Sequence, residues 1–297
     1  MKFEEFANVV VEKIREYLPE TFAEASVELK TVIKNNDLKL RGITIRSEES
    51  NICPTIYLEQ YFKAYEAGEE MDKILADIAD VRVKNDVKDS FDVDRITDFA
   101  RVKDMIVPRL VNREQNSEAL AERPYSVITD LAVTYHILLS LNKRSASTPV
   151  TNELLKVWGV EIEELHETAV HNMVRLIPST FRGMSAVMNA LSGGKTNVLD
   201  PEDEMLFVLS NEEGWYGASA VLDDMIMKNA FEQVGKEFFV LPSSVHELLV
   251  VPRNLEMDAE QLKEMVISIN ASEVAPEERL SDNVYYYSFD KGLQLAR

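Results

Sequence analysis

Val127-Ile128-Thr129-Asp130-Leu131-Ala132-Val133-Thr134-Tyr135-His136-Ile137-Leu138-Leu139 is the stretch on which the fold depends. Its odd positions run Val, Thr, Leu, Val, Tyr, Ile, Leu, and residues two apart share one face of a strand. The pattern predicts a long strand, the strongest such signal in the chain. Asp130 and His136 fall on its other face, about 20 Å apart at ~3.3 Å per residue, too far to pair directly.

Working outward, Val107 to Val111 predicts a short strand. Pro108 has no amide hydrogen to give to a ladder, so that strand belongs at an edge or a bulge. The polar run Asn142 to Thr148 reads as a turn or linker, which divides the chain into an N-terminal lobe (1–146) and a C-terminal lobe (147–297). At the start of the chain, Phe3, Phe6, Val10, Ile14 and Tyr17 fall on one face of a helix that Pro19 ends. Ala25, Val27 and Leu29 alternate with polar residues. Asn35-Asn36-Asp37 supplies a turn, and Leu38, Leu40, Ile43 and Ile45 form the return strand, with a bulge expected at Gly42. Residues 56–85 read as two helices and 86–98 as an aspartate-rich loop.

Beyond the linker, helices are expected at 151–158 and over Ile162, Leu165, Ala169, Met173 and Leu176. The stretch 177–204 reads as irregular. After it come strand 205–210, helix 224–234 stopped at Gly235, strands 237–241 and 246–251, helix 259–270 and strand 284–289. Asp258 with Gln261 makes a capping box for the last helix. The sum is an α+β fold of antiparallel sheets partly covered by helices.

Composition bounds the function. The 297 residues carry 32 Lys and Arg against 52 Asp and Glu, a net charge of −20. Residues 200–297 hold −13 of it, from twenty acids and seven bases. Nucleic acids and anionic membranes are bound mainly through Lys and Arg, and no run of the chain is rich in either, so neither partner is expected. A bilayer span takes about 20 apolar residues; the longest candidate, Leu131 to Asn142, has twelve uncharged residues and contains His136. Met1-Lys2-Phe3-Glu4-Glu5 lacks a signal-peptide pattern, and the lone Cys53 forms no internal disulfide. A cytoplasmic protein is the expectation.

The polar turn Ser243-Ser244-Val245-His246-Glu247 is the first place to seek a nucleophile and a base. In an extended segment Ser244 and His246 share a face, whereas Ser244-x-x-Glu247 is also a capping-box pattern behind Pro242. The loop from Asn211 to Ser219 is placed against this turn. There Gly214 and Gly217 let backbone approach a ligand, and Ser243, Ser244, His246 and Glu247 offer polar groups. Asn211, Gly214, Gly217, Ser243, Ser244, His246 and Glu247 are therefore the candidate ligand-binding set.

Other patterns carry less. His166 and His171 are five apart, about 140° around a helix, where a zinc helix needs four. Gly193-Gly194-Lys195-Thr196 resembles the end of a phosphate loop, but position 189, where its first glycine belongs, is Asn. Asp86, Asp89, Asp92, Asp94 and Asp98 lack the order and turn glycine of a calcium loop. No metal and no cofactor is expected. Tyr285-Tyr286-Tyr287 with Phe289 reads as core or interface, since a base-stacking platform comes with a basic groove.

Several segments together resemble a family of proteins from anaerobic Firmicutes, domain-of-unknown-function family 5688. They are Leu110-Val111-Asn112 with Asn116, Asp130-Leu131-Ala132-Val133, Trp158-Gly159-Val160, Ala169-Val170-His171-Asn172, Gly217-Ala218-Ser219, Leu241-Pro242-Ser243-Ser244-Val245-His246-Glu247, and Val274-Ala275-Pro276-Glu277-Glu278 with Leu280-Ser281-Asp282. The order of elements is also fainter kin to a second bacillar family. The resemblance implies a bacterial cytosolic protein and brings no activity or catalytic residue with it.

The expectation is a non-enzymatic binding or regulatory protein whose ligand is another protein or a small metabolite. One alternative is a hydrolase or transferase using Ser244, His246 and Glu247. Another is a mobile-element protein that sequesters a host factor. A flat exposed face with Trp215, Tyr216 and the tyrosine strand would favour protein binding.

Overall fold

A computed structural model describes residues 1–47, 53–86, 93–139, 147–200, 202–235, 237–253 and 257–296. The fold is α+β, and every strand pairing among the described residues is antiparallel. The chain forms two compact units, Met1–Lys34 with Leu38–Val93, and Asn35–Asp37 with Asp94–Arg297.

The first unit contains helix α1 (Phe3–Lys13), strands β1 (Ser26–Ile33), β2 (Lys39–Arg46) and β3 (Thr55–Tyr57), and helices α2 (Glu59–Glu66) and α3 (Met71–Lys84). Its sheet runs β1-β2-β3. The stripe Phe6, Val10 and Ile14 is fully buried against Ile43, Ile45, Ile74, Leu75 and Ile78. Gly42 makes no bulge: it pairs in regular register with Lys30 and Tyr57. Its role is space, since a Cβ there would collide with the Thr55 side chain.

The second unit contains α4 (Phe99–Val102), β4 (Ile106–Asn112), α5 (Ser117–Leu120), β5 (Tyr125–Ile128), β6 (Leu131–Leu138), β7 (Ser147–Pro149), α6 (Asn152–Trp158) and α7 (Ile162–Leu176). It continues with β8 (Ser179–Gly183), α8 (Met184–Leu191), β9 (Phe207–Asn211), α9 (Asp224–Val234), β10 (Phe238–Pro242), β11 (Leu248–Pro252), α10 (Ala259–Ser272), β12 (Tyr285–Ser288) and β13 (Gly292–Leu295). One sheet runs β4-β6-β5, with β7 also paired to β6; the other runs β13-β12-β10-β11-β9-β8. A single core joins them through Ile106, Leu110, Val133, Tyr135 and Ile137 of the first sheet, Leu165 and Ala169 of α7, and Phe207, Leu209, Phe238 and Val250 of the second. Each fully buried side chain of this size adds about 1.5–3 kcal/mol, so this core dominates the unit.

Local signals set several boundaries. The Asp223 side chain accepts from Met225 N and Ile226 N at the start of α9, and Gly235 ends that helix at φ 79°. Both bonds of the Asp258–Gln261 capping box are made at α10. Pro108 sits in β4, an edge strand.

Three further expectations are corrected. The run 127–139 is two strands, because Thr129 at φ 57° and Asp130 form the hairpin turn between β5 and β6. The faces exchange across that turn, since Val127 pairs with Ala132 and Ile128 with Leu131, so the apolar odd positions of the sequence do not form one face in space. The stretch 177–204 is not wholly irregular, since it holds β8 and α8. β13 adds a further strand at the C-terminal edge. The division at residue 146 lies within 140–146, outside the described residues. The strands flanking it, β6 and β7, pair His136 with Pro149 and Leu138 with Ser147, and the two compact units divide near residue 93. Among the described residues no helix is long and apolar enough to cross a membrane.

Candidate functional site

The segment joining β10 to β11 is a tight polar turn, not a helix start. Ser244 Oγ accepts from the backbone N–H of His246 at 3.0 Å, and Ser244 N donates to Glu247 O at 3.2 Å. Ser243 Oγ donates to Glu247 Oε1 at 3.1 Å. This is a serine turn closing on its own backbone. The capping box that Ser244 and Glu247 suggest is therefore not formed.

The Asn211–Ser219 loop lies directly against this turn. Asn211 anchors the loop by donating from Nδ2 to Trp215 O at 2.9 Å and accepting from Trp215 N at 3.2 Å. Tyr216 N donates to His246 Nδ1 at 3.1 Å, and Ser210 Oγ donates to His246 O at 2.8 Å. Ala218 N donates to Val245 O at 3.3 Å. Gly217 is buried, and the space of a side chain there is filled by Ser210 Oγ and by the His246 carbonyl at 2.5 Å. Gly214, at φ 62°, is exposed and has open space around it. All seven candidate residues thus belong to one loop–turn junction.

Protonation at this junction follows from the hydrogen bonds. Nδ1 of His246 accepts an N–H, so a neutral ring carries its proton on Nε2. Nε2 lies 3.8 Å from Glu278 Oε1. Neither Ser243 nor Ser244 hydrogen-bonds to the ring; their partners are Glu247 and the backbone.

The cation that meets this junction comes from a strand distant in sequence. Arg109, from β4, sets its guanidinium carbon 3.9 Å from the Trp215 ring centre and 3.8 Å from that of Tyr216. The Tyr216 ring is also 5.4 Å from that of His246. Arg109 is 6% exposed, and burial pulls its pKa down to about 10, so it remains charged at neutral pH. His136, across the sheet, is held well below the usual histidine range, first by burial and then by the charges of Arg109 and Arg123. One signal for Arg109 was present: it is a lone charge inside the apolar run Val107-Pro108-Arg109-Leu110-Val111.

The remaining candidates fall elsewhere in the fold. His166 Nδ1 lies 3.0 Å from Tyr135 Oη, which in turn is 2.7 Å from Ser126 Oγ, beside a cleft of about 370 Å³. His171 is exposed on α7. Gly193 and Gly194 close the C-terminal end of α8 by donating to Ala190 O and Asn189 O, whereas a phosphate loop precedes a helix. Asp86 pairs with Arg82, and Asp98 caps α4; Asp89 and Asp92 lie outside the described residues. Among the described residues no three His, Cys, Asp or Glu side chains are grouped to hold a metal ion. Cys53 Sγ is half-buried, 3.2 Å from Ile45 O. Tyr285 is fully buried, Tyr287 stacks on Phe238, and Tyr286 lines an open groove of about 550 Å³ with Arg253 and Glu237.

An α+β protein with a serine turn latched to an aromatic loop over a buried arginine is the class these features define. The chain matches the family of unknown function DUF5688 over residues 3–289 and belongs to that family. Comparison with curated proteins and with solved structures gives no match.

Proposed function

We propose that this protein is a non-catalytic binding protein, acting in the bacterial cytoplasm, whose small-molecule ligand is received where the 211–219 loop meets the 242–247 turn. The observation that carries this reading is the hydrogen bond from Tyr216 N to His246 Nδ1 at 3.1 Å. A general base needs a free lone pair on the imidazole. Here the one lone pair of the neutral ring is committed to holding the loop, and the turn hydroxyls are committed to Glu247 and the backbone. What the junction leaves for a ligand is recognition surface: the half-buried rings of Trp215, Tyr216 and His246. Aromatic faces with a few fixed polar groups are the usual lining of small-molecule sites.

Native mass spectrometry of the protein purified gently from its host tests the reading. A reproducible small added mass, lost in Trp215→Ala, is the expected result. Hydrolysis of an activated ester that disappears in Ser244→Ala would overturn it in favour of the hydrolase. A captured protein in place of a small mass would overturn the ligand class.

A further inference from the structure

Two buried arginines in this chain have very different surroundings. Arg82 is 1% exposed and fully provided for: Nε donates to Ile45 O at 2.7 Å, Nη1 meets Asp86 Oδ1 at 2.7 Å, and Phe22 covers the guanidinium. Arg109 has no such counter-charge. Its Nη2 donates to the neutral Ser147 Oγ at 2.6 Å, and its Nε is buried with no hydrogen-bond partner. Among the described residues no carboxylate pairs with it. Burying a guanidinium without a counter-charge is costly, and two aromatic faces offset only part of that cost.

The groups around Arg109 share its deficiency. Ser147 is in β7 on the far side of β6, so the Arg109 side chain crosses the face of the sheet. His136 occupies that same face, because its cross-strand partner Val107 is two residues from Arg109. Its Nδ1 is also buried without a partner. Arg123, half-buried, stands two residues before Tyr125, which pairs with Thr134, the cross-strand partner of Arg109; it makes no side-chain hydrogen bond or ion pair among the described residues, and its charge acts on both Arg109 and His136. The acidic groups that act on Arg123 are Glu122, then Tyr216, then Asp37, and Asp37 is occupied by the amides of Glu118 and Ala119.

We propose that Arg109, Arg123 and His136, walled by Trp215 and Tyr216, form a receptor for an oxyanion, the carboxylate or phosphate group of a small metabolite. The proposal rests on the reading of the loop–turn junction as a ligand site and adds the charge of the ligand. A planar guanidinium matches both oxyanions. The bound oxyanion supplies the missing counter-charge to Arg109 and an acceptor for a ring N–H of His136. The strongly acidic surface elsewhere does not oppose this, because the interior of the site is locally positive.

Isothermal titration with inorganic phosphate, and separately with acetate, at fixed ionic strength is the test. Saturable binding of at least one by the wild type is expected, weakened at least tenfold in Arg123→Ala. That variant should melt with the wild type, since its side chain anchors nothing among the described residues. Arg109→Lys keeps the charge, loses the fork, and should weaken binding likewise. Saturable binding of neither anion, or equal affinity in Arg123→Ala, overturns the oxyanion site. The two readings fail separately in native mass spectrometry. A neutral compound lost in Trp215→Ala would keep the binding protein and overturn the anion, whereas a phosphate- or carboxylate-bearing compound lost in Trp215→Ala and Arg123→Ala supports both.

Discussion

The backbone N–H of Tyr216 donates to the imidazole of His246 at 3.1 Å, and Tyr216 itself stands at φ 51°, in the left-handed region. A bulky residue rarely takes that conformation without being held in it. The loop therefore carries a strained tyrosine whose ring is placed between Arg109 and His246.

Removing the acceptor should release that arrangement. His246→Ala leaves the Tyr216 N–H without its partner and is expected to cost about 1–3 kcal/mol. His246→Asn, whose side-chain oxygen can take the place of Nδ1, should cost less. Urea denaturation of the three proteins measures the order, and equal stability of the alanine and wild-type chains would refute the role of the bond.

The two glycines of the loop should separate cleanly. A methyl at Gly217 meets Ser210 Oγ, the His246 carbonyl and Asn211 N, two of them backbone atoms that cannot swing aside. Gly217→Ala is expected to lose about 1–3 kcal/mol, the range of overpacking. Gly214 has open space, so Gly214→Ala pays only for its φ of 62°, about 1 kcal/mol. Thermal melts of both variants decide the ranking.

Much of the fold was legible because its signals are local. Gly235 ends α9 and Asp258 starts α10 through contacts within a few residues, and the apolar stripe of α1 needs no knowledge of its partners. The β5–β6 turn was illegible for the opposite reason. Thr129-Asp130 is not a glycine-containing hairpin pair, and the φ of Thr129 is one that its type rarely adopts. The candidate site divides the same way. Polar residues of the 242–247 turn stand out in one short stretch, whereas Arg109 reaches Trp215 and Tyr216 only through the packing of a sheet against a loop distant in sequence.

Asp130 offers a test of the corrected turn. Placed at the hairpin, its Oδ2 accepts from Ser281 Oγ at 2.9 Å and Asn283 Nδ2 at 3.0 Å. Asp130→Ala strands both donors and should destabilise by about 1–3 kcal/mol. Ser281→Ala should then cost less in the Asp130→Ala background than in the wild type, the remainder being the Asn283 N–H that Ser281 Oγ also accepts at 3.0 Å. A full second loss in that double-mutant cycle would show that the two do not interact.

His136 sets a pH dependence whose sign follows from its burial. Its folded-state pKa lies well below the ordinary histidine value of about 6.5, because the interior excludes its charge and the two arginines repel it. Below pH ~6.5 the unfolded chain takes up a proton that the folded chain refuses, so stability falls as pH is lowered. Above that pH both states are neutral at His136 and its contribution is flat. The limiting slope is about 1.4 kcal/mol per pH unit, continuing down to the folded-state pKa. His166, lowered by its own burial, acts in the same direction and stays in place when only His136 is changed. His136→Gln has no proton to gain and should flatten the stability profile between pH 6.5 and 5 by up to that slope. Guanidinium melts across that range compare the two proteins. Parallel profiles would mean that His136 is protonated in the native state, which two nearby guanidinium charges allow only if an anion already sits among them.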